Sequence, residues 1–171
     1  MFHLHGGWSS NQTYSLNWWY ESPPHISISP VKTEIDWTPR KIRDIIDELL
    51  EHDVRIDMNR LLLTGNSMGG RGTIIVGAQM PDLFPYLFPG CPHHTPYPYT
   101  VFKDMIIEQK QYVKIGMSLV DPVSDAVLAR EFASSLGEYG EMTITTQSTV
   151  HCGPTVRRWQ QNVIREALES S

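Results

Sequence analysis

The chain has 171 residues, enough for one domain with a single sizeable core. Hydrophobic residues make up 40% and charged residues 19%, a balance that excludes a disordered chain. A formal net charge of -5, with no Lys/Arg cluster beyond Arg40-Lys41 and Arg157-Arg158, argues against a nucleic-acid surface. No apolar run approaches the roughly 20 residues of a membrane helix.

In chain order, Phe2 to His5 predicts a short strand, ending at Gly6-Gly7 and not shaped as a signal peptide. Ile26 to Ser29 alternates apolar and polar residues until Pro30 stops it. Thr38-Pro39 is an N-cap followed by proline at the first helical position. Ile42, Ile45, Ile46, Leu49 and Leu50 then recur at helical spacing. Leu61 to Thr64 predicts a buried strand, and Met68 to about Gln79 a helix closed by Pro81. Phe84 to Phe88 predicts a strand despite Pro85, and residues 92–109, rich in proline and aromatics, an excursion with one helical turn. Tyr112 to Leu119 predicts a strand, Ala126 to Leu136 a helix, and Met142 to Thr146 a last strand. Pro154 to Leu168 closes the chain as a helix with Val156, Trp159, Val163 and Ala167 along one side. Strands alternating with helices imply a doubly wound, mostly parallel α/β sheet of about six strands. The whole chain, residues 1–171, reads as one domain.

The stretch LLLTGNSMGGRGT places Ser67 between Gly65 and Gly69, after a strand and before a helix. Glycine is costly inside regular elements, so two glycines flanking a serine at this junction imply a turn too sharp for side chains. Such a turn lifts the hydroxyl out at the carboxyl edge of the sheet. It also sets the serine at a helix N-terminus, where N–H groups favour a developing anion. G-x-S-x-G in this context is a nucleophile elbow.

A serine nucleophile needs a base, and the base an orienting acid. After Ser67 the histidines are His93, His94 and His151. His151 lies between the last strand and the last helix, in STVHCGP, where a loop at the carboxyl edge can carry an imidazole over the elbow. The acid belongs just past Tyr112 to Leu119, in LVDPVSD. Asp121 directly follows the strand, whereas Asp125 suits the first turn of the next helix, so Asp121 is the expected acid. The glycines of HLHGGW free backbone N–H groups toward a substrate oxygen, and Gly7, Trp8 and Met68 are the expected oxyanion donors. His5 is expected to brace that loop rather than enter the chemistry. His3, His5 and the His93-His94 pair lack a completing carboxylate or cysteine at a recognisable spacing, so no metal and no cofactor is expected.

RIDMNRLLLTGNSMGGRGT followed by AQMPDLF resembles the esterase and predicted-peptidase branch of the α/β-hydrolases. That group includes polyhydroxybutyrate depolymerase-like and feruloyl esterase-like enzymes. The likeness spans the His-Gly-Gly strand, the elbow, the acid loop and the histidine loop. It implies a minimal α/β-hydrolase fold and a serine hydrolase with Ser67, Asp121 and His151 as triad. The reaction implied is cleavage of a carboxylic ester, thioester or lactone through an acyl-enzyme. In the family two further strands precede the His-Gly-Gly strand, whereas here Met1 opens it, and no lid segment is apparent. Some feruloyl esterases and tannases bridge a cysteine before the serine to one after the histidine. Here Cys152 follows His151 but Asn66 precedes Ser67, so that bridge is not expected. A non-hydrolytic enzyme (lyase, cyclase or acyltransferase) and a small-molecule receptor remain the alternative uses of the same scaffold.

Trp18, Trp19, His93 and Tyr97 are the candidate substrate-binding residues, suited to an aromatic or polyketide-like acyl group. The partner expected is a small-molecule ester, with no nucleic acid and no membrane. Two cysteines, Cys91 and Cys152, are too few for a disulfide scaffold. They are read as reduced thiols of a cytoplasmic protein, with a single bridge left open. The strand Ile26 to Ser29, lacking the outer strands of the family, would form an apolar edge. A homodimer covering that edge, or the adjoining helix Pro39 to Leu50, is expected.

Overall fold

The computed structural model describes residues 1–7, 27–30, 36–93 and 96–169. Its strands are β1 (Phe2–Leu4), β2 (Leu63–Asn66), β3 (Tyr86–Gly90), β4 (Tyr112–Ser118) and β5 (Gly140–Thr146). Its helices are α1 (Pro39–Glu51), α2 (Met68–Gln79), α3 (Pro96–Glu108), α4 (Ala126–Ser135) and α5 (Pro154–Glu169). The strands form one sheet in the order β1-β2-β3-β4-β5, every neighbour parallel. A monotonic order joined by right-handed crossovers puts the connecting helices on one face. The packing of α2 against α1, α2 against α3 and α3 against α4 agrees with this. The opposite face is met by α5, which lies over β3, β4 and β5.

Two apolar layers form between these elements. The larger joins Phe2, Leu4, Leu63, Leu87, Val113 and Ile115 of the strands to Trp37, Ile42, Ile74, Phe102 and Phe132 of the helical side. The smaller joins Met1, Leu62 and Phe88 to Ile164 of α5.

Five strands are described where about six were expected. The predicted strand Ile26 to Ser29 contracts to a single parallel bridge, Ile28 with Phe2, and Ile26 lies outside the described residues. Ile28 donates its N–H to Met1 O at 2.9 Å and accepts from His3 N at 2.8 Å. The elbow strand runs two residues further than predicted, because Gly65 and Asn66 continue the ladder to Pro89 and Gly90. Residues 92–109 were expected to hold one helical turn in an irregular excursion, yet α3 fills most of them. Pro96 and Pro98 fall in its first turn, where no helical N–H is needed. Pro98, Tyr99, Phe102 and Ile106 then give it a buried stripe.

In α1 the N-cap is as expected: Thr38 Oγ1 accepts from Lys41 N at 3.4 Å, and Pro39 opens the helix. Its apolar face is narrower than the spacing suggested, with Ile42 and Ile46 buried and Leu50 exposed. In α5 the expected side does meet the sheet, with Val156 buried, Trp159 against Gly116, and Val163 and Ala167 packed on the smaller layer. Gln160, Gln161 and Ile164, which were not expected, are buried beside it. Polar groups on the sheet draw Gln160 inward. Among the described residues no helix is long and apolar enough to cross a membrane.

Candidate active site

Ser67 sits between the last residue of β2 and the first of α2, with φ 57 and ψ -118. A non-glycine residue there carries backbone strain of about 1–3 kcal/mol and persists only where neighbours hold it. Here they do. Ser67 N donates to Gly90 O at 3.1 Å, while Ser67 O accepts from Arg71 N at 3.0 Å and from His93 N at 2.9 Å. The flanking glycines answer to space. A Cβ on Gly65 would overlap the carbonyl groups of Gly69 and Leu4, and one on Gly69 would overlap that of Leu4. The chain therefore crosses β1, and only glycine lets β2 and α2 approach it so closely.

The parallel sheet brings three strand exits to the same edge. Asp121 follows β4 and His151 follows β5, as chain order suggested, and the two side chains meet there. His151 Nδ1 donates to Asp121 Oδ1 at 2.7 Å and Oδ2 at 2.9 Å. The same carboxylate accepts from Val123 N and Ser124 N, each at 2.9 Å. Its side chain is fully buried and that of His151 is 23% exposed, so the imidazole alone of the pair reaches solvent. Burial acting alone would raise the Asp121 pKa. The hydrogen bonds from His151, Val123 and Ser124, together with the histidine's charge, overcome it and hold the carboxyl below its ordinary value. Nδ1 engaged as donor leaves Nε2 as the ring's lone-pair nitrogen.

Asp125 is elsewhere. It caps α4, accepting from Val127 N at 2.8 Å and Leu128 N at 3.1 Å. Gly7 is close enough to the elbow that a Cβ on it would lie 3.2 Å from Met68 Cε. His5 Nδ1 donates to Gly6 O at 2.8 Å and its ring meets Trp37 edge-on at 5.2 Å, a bracing arrangement. His93 is half-buried beside the elbow through its backbone bond to Ser67. Tyr97 is 52% exposed on the first turn of α3 and packs on Phe102. Trp8, Trp18 and Trp19 lie outside the described residues. A cleft of about 330 Å³ beside the acid loop is lined by Leu119, Asp121, Ser124, Val127 and Arg130.

The cysteines require a correction. Read as reduced thiols, Cys91 and Cys152 are instead joined by a disulfide, their Cα atoms 5.5 Å apart. Cys91 leaves β3 as Cys152 leaves the histidine, so both lie on the edge that carries Ser67. Sixty-one residues separate them in sequence, and only the parallel sheet makes them neighbours. Cys91 is tied in further, donating from N to Gly116 O at 2.8 Å and accepting from Ser124 Oγ at 2.7 Å. The signal available in sequence was the position of each cysteine directly past a predicted strand or its histidine.

Neither a family model nor a curated protein sequence matches the chain. Solved structures do match its fold. A thermostable esterase superposes with TM-score 0.73 at 21% identity, over 98% of this chain and 53% of its own. The esterase domain of a Rhodothermus marinus protein gives 0.72 at 9% identity, over 98% and 85%. The fluorophosphonate-binding serine hydrolase F of Staphylococcus aureus gives 0.68 at 15%, over 97% and 80%. The present chain thus spans about half the length of the first of these esterases. The parallel strand order, the sharp serine turn and these superpositions make this an α/β-hydrolase fold.

Proposed function

We propose that the protein is a serine hydrolase of carboxylic esters, with Ser67 as nucleophile, His151 as base and Asp121 as its orienting acid. The observation that carries this reading is the His151–Asp121 hydrogen bond at the sheet edge where Ser67 stands in its strained turn. The hydrolase neighbours support it at the level of fold. Ser67 Oγ attacks the ester carbonyl as its proton passes to His151 Nε2. Asp121 holds the ring in the tautomer that leaves Nε2 free and stabilises the imidazolium that forms. Backbone N–H groups of Met68 and Gly7, with Trp8, receive the oxyanion, each such donor contributing about 3 kcal/mol to the transition state. His151 returns the proton to the departing alcohol. Water then enters, gives its proton to His151, attacks the acyl-enzyme and releases the acid with Ser67 restored.

An aromatic or polyketide-like acyl group is the substrate class proposed, since Tyr97 and His93 stand on the segment after the elbow helix and its strand. The test is turnover of p-nitrophenyl esters with covalent labelling by a fluorophosphonate. Ser67→Ala should abolish both, and aryl esters should show higher kcat/KM than acetate. Turnover that survives Ser67→Ala would reject the mechanism, and equal kcat/KM for acetyl and aryl esters would reject the acyl preference.

A further inference from the structure

The disulfide stands against the base itself. Cys91 Sγ, Cys152 Sγ and a ring nitrogen of His151 lie within 4.8 Å of one another. His151 Nε2 is 3.7 Å from Cys152 Sγ. Around a tetrahedral ion with metal–sulfur bonds near 2.3 Å and metal–nitrogen bonds near 2.0 Å, neighbouring donor atoms stand about 3.5–3.8 Å apart. The nitrogen–sulfur separation already has that value. An imidazole that binds metal through one nitrogen generally donates its other N–H to a carboxylate, which sets the tautomer and raises the basicity of the ligand. Asp121 receives that N–H here at 2.7 Å. The arrangement that makes Nε2 a base equally makes it a ligand. Both cysteines are held in left-handed backbone, φ 36 and φ 48, by the structure around them. The 23% exposure of the His151 side chain leaves a path for an ion.

We propose that, once the Cys91–Cys152 bond is reduced, the two thiolates and His151 Nε2 bind one soft divalent cation such as Zn²⁺ and so withdraw the base from Ser67. A dithiol reductant supplies two electrons and two protons, which break the sulfur–sulfur bond, and itself becomes a disulfide. The cation then displaces the two thiol protons and takes the free lone pair of the unprotonated imidazole. Water fills the fourth position. The disulfide form, with neither thiolate available, keeps the base free. Inhibition by the ion rests on the catalytic role proposed for His151, whereas the metal site does not.

The test uses the full chain reduced by a phosphine without oxygen, with cobalt(II) as probe. One equivalent should bind, with tetrahedral d–d bands and thiolate-to-cobalt charge-transfer absorption, and Zn²⁺ should displace it. The disulfide form should show neither signal. Cys152→Ser should lose most of the charge-transfer band, and Asp121→Asn should weaken cobalt binding about tenfold through the imidazole. Circular dichroism follows folding throughout. Absence of the charge-transfer band in the reduced chain would overturn the site, as would a spectrum and affinity unchanged by Cys152→Ser. A reduced chain that unfolds and does not refold on metal addition would overturn it as well. Fluorophosphonate labelling of Ser67 should fall at least tenfold when Zn²⁺ is added to the reduced protein, and recover with a chelator. Cobalt binding with undiminished labelling would refute the switch. Cobalt binding by a chain whose disulfide form never labels would remove the hydrolase reading and leave the metal site standing.

Discussion

Asp121 accepts three N–H groups, from His151, Val123 and Ser124, whereas Asp125 gives its carboxylate to the first turn of α4. The two substitutions to asparagine should therefore separate. Asp121→Asn is expected to lower kcat about ten-thousand-fold, by loss of the tautomer that frees Nε2. Asp125→Asn should leave turnover intact and cost no more than about 1 kcal/mol, since asparagine also caps helices. Steady-state kinetics with denaturant unfolding measures both, and the opposite pattern would move the acid to Asp125. His3 lends itself to a pH test. It is fully buried in β1, and desolvation, then the charges of His5 and Arg157, lower its pKa from 6.5 to about 3. A histidine whose folded pKa lies below its unfolded value binds protons more readily when unfolded, so stability rises with pH between the two values. From pH 6.5 down to pH 5 the native state should lose about 2 kcal/mol on this account. His3→Gln should flatten that slope in urea unfolding at pH 5, 6 and 7. Asp121 has its pKa lowered too, but from the carboxylate range, so the stability it contributes is lost only at more acid pH.

Gln160 ties the helix after the histidine to the strand before the serine. Its Nε2 lies 3.0 Å from Thr64 Oγ1 and 3.1 Å from each of Gly65 O and Phe88 O. Thr64 Oγ1 in turn donates to Phe88 O at 2.7 Å. Gln160→Leu keeps the volume and removes the donors, leaving acceptors buried on the sheet. It should cost about 1–3 kcal/mol, read as a lower denaturant midpoint at unchanged m-value. No change in midpoint would mean that these contacts add nothing net. The spacing Val156, Trp159, Val163 found the side of α5 that meets the sheet but left out Gln160 and Gln161, because periodicity counts apolar residues alone. A glutamine facing a threonine and two carbonyl groups is buried for its hydrogen bonds. The same blindness hid α3, where prolines argue against a helix unless they occupy its first turn.

At the scale of the whole molecule, among the described residues the sheet begins at β1 with only the Ile28 bridge beyond it. A strand paired on one side alone offers backbone groups to another strand. A two-fold dimer through this edge or the adjoining α1, which exposes Leu50, is the expected assembly. Light scattering at micromolar concentration should then give about twice 19.5 kDa. A single 19.5 kDa species would exclude it. The disulfide bears on location as well. Cytoplasmic residence was expected from reduced thiols, and the bridge removes that ground for it.

How far the molecule was legible in advance depended on the range of the interaction. Gly65, Ser67 and Gly69 announce a sharp turn because the steric demand of a turn acts on residues two positions apart. Asp121 and His151 could be singled out because each lies just past a strand, and parallel strands deliver their exit loops to one edge. Alternating strand and helix periods sufficed for the fold class, since burial of one face acts locally along the chain. Tertiary structure decided the rest. The Cys91–Cys152 bond, the crossing of Leu4 over Gly69 and the burial of Gln160 join segments 61, 65 and 72 to 96 residues apart. Such contacts depend on which strands become neighbours and how closely they approach, and no local period in the sequence encodes either.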